Sequence, residues 1–305
     1  MFLRGRDVEN PVLLYLHGGL PEFFLARKHR SGLEDLFTVA WWEQRGSGLS
    51  YVPRLPPATI TLEQMISDTA AVTGYLCRRF GREKIYLMGH SGGTFVALQT
   101  AARAPQSYHA YVGVAQMTDQ LRSERLAYEY MLQQFRVRGD RRWVRRLERA
   151  PVTMEGGTPR GYLRLRDPAM HPLGIGTTHD MKSVVTGILW PIVRSPDYSA
   201  REKIALFRGK ASAGVSSLWG EMISTDAAKR VTELALPVYF FSGVHDYTVN
   251  YTLAKEYLAR LRAPLKGFYS FEHSAHSPLF EEPQKAQRIL REDVLVATNR
   301  LADQE

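Results

Sequence analysis

The sequence predicts an α/β fold: a mainly parallel sheet flanked by helices, with an inserted helical cap. Three observations carry this expectation. Short, almost wholly apolar runs alternate with helical patterns, as expected of strands buried on both faces by the helices that connect them. The alternation disappears from about Met117 to Leu234 and resumes at Pro237. Between these limits, Gly89-His90-Ser91-Gly92-Gly93 joins an apolar run directly to a helical one. Residues 1–116 and 235–305 are therefore expected to form the α/β core, and residues 117–234 a cap or lid over the strand ends.

Pro11 to Leu16 reads as a short apolar strand ending at His17-Gly18-Gly19, and Leu36 to Trp42 as the next, ending at Glu43-Gln44-Arg45-Gly46. After a proline-rich loop, Thr59 or Thr61 can cap a helix running to about Arg79, which Gly81 stops. Lys84 to Met88 is the following strand, Thr94 to Arg103 the helix after it, and Tyr108 to Val114 another strand. Past the insertion come strands at Pro237 to Ser242 and Lys266 to Phe271, and a last helix from about Glu282 to Leu301. The chain begins almost at its first parallel strand, so an antiparallel hairpin ahead of it is expected to be largely missing.

With 305 residues, 44% hydrophobic and 23% charged, the chain has enough apolar surface for a sizeable core and no disorder signature. Its single cysteine, Cys77, excludes an internal disulfide framework and is expected to be a buried small hydrophobe. No signal-peptide core and no membrane-length apolar run is present, which makes the expected location cytoplasmic, with no membrane partner. The net charge of +9 raises the question of nucleic acid. Much of the excess lies in Arg136 to Arg149, where Trp143, Val144 and Leu147 recur at helical spacing, so the arginines read as the solvated face of an amphipathic helix. No nucleic-acid signature accompanies them, and none is expected to bind. The histidines lack ligand spacing, so neither a metal nor a cofactor is expected.

Glycines flank a serine in Gly89-x-Ser91-x-Gly93, the pattern of a nucleophile elbow. The turn strains the serine backbone and holds its hydroxyl above the sheet, at the positive end of the next helix. Serine is a weak nucleophile unless a histidine takes its proton and an acid orients that histidine. Both partners should follow from loops at the carboxyl ends of later strands. Asp246, in Ser242-Gly243-Val244-His245-Asp246, and His276, in Ser274-Ala275-His276-Ser277-Pro278, meet that requirement. His273 comes straight off its strand with less loop to reach the serine, and Asp226 falls in a helical stretch of the cap. His17, His90 and His245 are expected to be structural. Acyl transfer also needs oxyanion donors. The amide of Gly92, next to the serine, and that of Gly19, in the loop after the first parallel strand, are the candidates.

Taken together, His17-Gly18-Gly19, Glu43-Gln44-Arg45-Gly46-Ser47-Gly48-Leu49-Ser50, Gly89-His90-Ser91-Gly92-Gly93, Gly243-Val244-His245-Asp246 and Ser274-Ala275-His276 with Glu281-Glu282-Pro283 resemble the α/β-hydrolase superfamily. Within it they are most similar to the proline iminopeptidase branch, which shows HGGPG, DQRGxGxS, GxSxGG and a final SxH loop. The resemblance covers nearly the whole chain outside the cap. It implies Ser91 as nucleophile, Asp246 as orienting acid, His276 as general base, and Gly19 and Gly92 as the oxyanion hole. Leu20 stands where the branch has proline and Glu43 where it usually has aspartate. Aminopeptidases of that branch hold the substrate ammonium with acidic cap residues, whereas this cap is rich in arginine. Glu221 is the acid nominated for that role, and Trp219 could supply apolar surface, as could Trp143 and Trp190. The expected activity is a serine hydrolase acting on a small-molecule ester or amide. The alternatives are an iminopeptidase-type aminopeptidase, acyl transfer to an acceptor other than water, and a hydrolase-like binding protein with little turnover; oligomeric state is left open.

Overall fold

In the computed structural model, which describes residues 1–213 and 216–304, seven strands form one sheet. They are β1 (Phe2–Arg4), β2 (Val12–Leu16), β3 (Thr38–Trp42), β4 (Ile85–His90), β5 (Tyr108–Val114), β6 (Val238–Gly243) and β7 (Lys266–Phe271). Their order is β1-β3-β2-β4-β5-β6-β7. All neighbours run parallel except β1, which pairs antiparallel with β3, Phe2 opposite Trp41. The single strand β1 thus occupies the edge where a hairpin was expected to be largely missing.

Alternate residues of each strand enter opposite cores, as the two-residue side-chain period requires. Leu14, Leu16, Leu87 and Phe240 pack on one face with the helices Leu62–Phe80, Gly92–Arg103 and Tyr251–Arg260. Leu13, Tyr15, Met88 and Phe241 pack on the other, with Phe23, Phe24 and the C-terminal residues Ala286 to Val294. Burial on both faces explains why these strands are continuous apolar runs in the sequence. Thr61 caps the Leu62–Phe80 helix by accepting from the Gln64 amide at 3.2 Å, and Gly81 ends it in the left-handed region.

Between β5 and β6 the described residues add helices and no strand to the sheet. The buried members of a third apolar cluster, among them Met131, Phe135, Leu147, Tyr162 and Met170, fall within residues 127–175, with Leu121 and Tyr247 packed against them. Leu147 is fully buried there, and Trp143 stacks on Phe135 with ring centroids 5.3 Å apart.

Two expectations need correcting. The C-terminal helix breaks early: Pro283–Ile289 is α-helical, Leu290–Val294 is a π turn, and the chain then folds back. The buried Asp293 carboxylate accepts from the amides of Arg300 at 3.0 Å and Leu301 at 2.9 Å, which turns the backbone away from the helix axis. Cys77 is half-buried, with Sγ 3.8 Å from the Glu83 carbonyl oxygen, because its helix turns that position toward the rim.

Candidate functional site

The sheet order reverses between β2 and β4: the chain proceeds from β2 outward to β3, then returns to β4 on the other side. Loops leaving such adjacent strands open a crevice at their carboxyl ends, where ligands of open α/β sheets bind. The loop after β2 is His17 to Glu22, and the turn after β4 carries Ser91.

Ser91 has φ 53° and ψ −126°, a left-handed backbone that a side chain rarely tolerates. Close packing enforces it. A methyl on Gly93 would sit 2.2 Å from the Leu16 carbonyl oxygen, and one on Gly89 would sit 2.7 Å from the Thr94 Cα. The strand-to-helix passage therefore fits only glycine at both positions. Ser91 stands at the head of the Gly92–Arg103 helix but makes no side-chain cap bond to it. The Gly92 amide is a first-turn donor without a helical acceptor.

The loop after β2 is fixed by His17, which is buried. Its Nε2 accepts from the Gln44 amide at 3.1 Å, so Nδ1 carries the hydrogen and donates to the Gly18 carbonyl oxygen at 2.8 Å. Burial holds this imidazole neutral, lowering its pKa to about 4. With the Gly18 carbonyl turned toward His17, the trans peptide directs the Gly19 N–H the opposite way. The Gly18 carbonyl carbon lies 3.9 Å from the point a methyl on Gly92 would occupy, so this peptide borders the elbow.

Asp246 and His276 meet at the ends of β6 and β7. Asp246 Oδ1 accepts from the Thr248 and Val249 amides at 2.8 and 2.9 Å, and Oδ2 accepts from His276 Nδ1 at 2.8 Å. Both residues are buried. Their loops touch because Gly243 has no side chain: a methyl there would lie 2.0 Å from the Ala275 carbonyl oxygen. His273 is exposed, and its amide donates to Glu282 at 2.9 Å. Asp226 caps the Ala227–Arg230 helix.

Glu281 grips the His276 loop from beneath. Its carboxylate accepts from the amides of Ala275 and Ser277, both at 3.1 Å, and from that of His179 at 2.5 Å. Burial dominates these bonds and pushes its pKa up to about 7. The inserted segment reaches the loops of His276 and Asp246 and the Ser91 turn. The Gly176 carbonyl accepts from the His276 amide at 3.4 Å, Gln120 Nε2 donates to the Thr248 carbonyl at 2.9 Å, and Met222 Cε lies 3.6 Å from the point a methyl on Gly92 would occupy.

Of the cap residues expected to meet substrate, Glu221 is held by Arg230 at 2.5 Å, and the half-buried Trp219 packs against the core. Met222, from the same helix, is the residue over the elbow; sequence reasoning missed it because a methionine on an apolar helix face carries no chemical signal. Glu22 was missed as well. It accepts from His90 Nδ1 at 2.6 Å and from the Tyr15 hydroxyl, a contact between the β2 loop and the elbow that chain order does not reveal. Among the described residues, no group of three or more His, Cys, Asp or Glu side chains is placed to hold a metal ion.

Residues 11–283 match the family model of the alpha/beta hydrolase fold. The chain belongs to the alpha/beta hydrolase family. This hydrolase is 32% identical over 287 residues to the probable aminopeptidase YbaC of Bacillus subtilis (strain 168), covering 93% of this chain and 88% of that one. Among solved structures, it is similar to the proline iminopeptidase of Mycobacterium smegmatis, with 16% identity, TM-score 0.58, and 96% and 93% of the two chains covered. It is also similar to a thermophilic esterase from Thermogutta terrifontis, with 18% identity, TM-score 0.57, and 95% and 90% covered.

Proposed function

We propose that this hydrolase is a serine enzyme cleaving a small-molecule ester or amide through an acyl-enzyme. The observation carrying the proposal is the buried 2.8 Å contact of His276 Nδ1 with Asp246, in a loop packed against the strained Ser91 turn. Because Asp246 accepts from Nδ1, the neutral His276 presents its Nε2 lone pair as the base. Ser91 Oγ attacks the acyl carbon while its proton passes to Nε2, and the carbonyl oxygen becomes an oxyanion facing the Gly19 and Gly92 amides. Collapse expels the leaving group, which takes the proton from Nε2. Water then attacks the acyl-enzyme, giving its proton to the same nitrogen, and Ser91 leaves with it. Asp246 remains ionised throughout, held by two backbone amides.

Residues 117–234 act in this reading as the cap that sets substrate choice. Glu221 is neutralised by Arg230, and arginines crowd the cap, so a neutral or acidic acyl group is favoured over one bearing a free ammonium. The aminopeptidase reading is kept as second because the Bacillus relative is named a probable aminopeptidase. A panel of chromogenic short-chain and aryl esters and aminoacyl amides, with Ser91→Ala as the blank, tests the proposal. Ester turnover that vanishes in the variant supports it. Turnover of no substrate, or turnover surviving the substitution, sinks it, the first outcome favouring a binding protein.

A further inference from the structure

His90 precedes the elbow serine, but its side chain turns away from the substrate side and beneath the base loop. It is almost fully buried, and each of its nitrogens meets an acceptor: Nδ1 is 2.6 Å from Glu22 Oε1, and Nε2 is 2.7 Å from the main-chain carbonyl oxygen of His276. A carbonyl can only accept, so Nε2 must carry a hydrogen. Glu22 settles the other nitrogen, and its second oxygen accepts from the buried Tyr15 hydroxyl. Burial alone would lower the His90 pKa and raise that of Glu22. Their mutual charge and hydrogen bond outweigh it, leaving His90 raised and Glu22 lowered, which is the ion pair.

We propose that Glu22 and His90 form a second acid–histidine pair that positions the catalytic base by holding the His276 main chain. The proposal rests on the serine-hydrolase reading above. Asp246 fixes the His276 ring, whereas this pair fixes the backbone from which that ring projects. Glu22 lies three residues after Gly19 in the same loop, so one pair joins the oxyanion loop, the elbow and the base loop. A shift of the His276 carbonyl would move Nε2 relative to Ser91 without unfolding anything. Such displacement lowers the rate of proton transfer more than it weakens binding. The titratable groups facing His90 are Glu22 from the oxyanion loop, Asp246 from the acid loop, the neutral His17 after β2, and the His276 ring at 5.1 Å.

Steady-state kinetics on the best ester substrate, with melting curves and Ser91 labelling by a fluorophosphonate, tests this. His90→Ala should lower kcat on the order of 10- to 100-fold while KM changes by less than about 3-fold. His90→Gln retains an amide N–H able to donate to the His276 carbonyl and should recover a large part of that loss. It also leaves the Glu22 carboxylate without its cation, so the acid limb of kcat should move to higher pH. Adding Glu22→Gln should reverse that movement. A merely structural role would lower Tm and leave the acid limb in place. The pair is ruled out if His90→Ala, folded as shown by its melting curve, keeps wild-type kcat and pH profile, or if the His90→Gln limb does not move. Failure of the underlying reading looks different: wild-type Ser91 would resist labelling and no ester would turn over.

Discussion

Ser91 sits in a backbone conformation of φ 53°, and its side chain does not cap the helix behind it. Strain kept at one residue by its surroundings is characteristic of active sites. Ser91→Ala should leave melting within a few degrees of wild type and lower kcat/KM by several orders of magnitude, as loss of a triad nucleophile does; esterase assays beside a thermal melt check both. His17 makes a separate prediction. Its pKa is lowered by burial to about 4, so between the ordinary histidine value of 6.5 and about 4 the unfolded chain binds more protons than the folded one. The stability it contributes is therefore full above pH 6.5 and is lost as pH falls toward 4. Denaturant titrations across that window should show the slope, and His17→Gln should flatten it.

At the scale of elements, the elbow works because strand β4 and the Gly92–Arg103 helix approach closer than any side chain permits. Gly93→Ala would drive a methyl into the Leu16 carbonyl, a fixed part of β2, and should destabilise by about 2 kcal/mol or more. Chemical denaturation measures it. Glu281→Ala would strip the acceptor from three amides around His276, and a cost on the order of 2 kcal/mol is expected. The strands were legible because parallel strands buried on both faces are apolar throughout, and the elbow because its glycines are sterically required. Asp246 and His276 were legible from their places after β6 and β7. What chain order does not encode is which loop packs beneath which: Glu22 reaching His90 and Glu281 reaching His179 are contacts over many residues, made by polar side chains of ordinary appearance, and the buried Asp293 that folds the C-terminus back is equally ordinary in sequence. Glu221 looked available in sequence only because its partner Arg230 lies nine positions later, on another helix.

For the whole molecule, the sheet's reversal between β2 and β4 places the Gly19 loop and the Ser91 turn side by side, and the segment between β5 and β6 contacts the Ser91 turn and the loops of Asp246 and His276. In the proposed reading, these helices set substrate choice. An aryl ester should exceed prolyl-p-nitroanilide in kcat/KM, and Glu221→Gln should leave KM for the prolyl amide unchanged, because its carboxylate is engaged by Arg230. A prolyl amide that wins, with KM raised by that substitution, would establish an ammonium site instead. The central claim, that this architecture activates Ser91 alone, is tested most directly by mapping a fluorophosphonate adduct by mass spectrometry. The account predicts one adduct per chain, on the peptide containing Ser91, absent from Ser91→Ala and strongly slowed in His276→Ala but not in His273→Ala. An adduct on any other residue, or labelling that persists in Ser91→Ala, would contradict it.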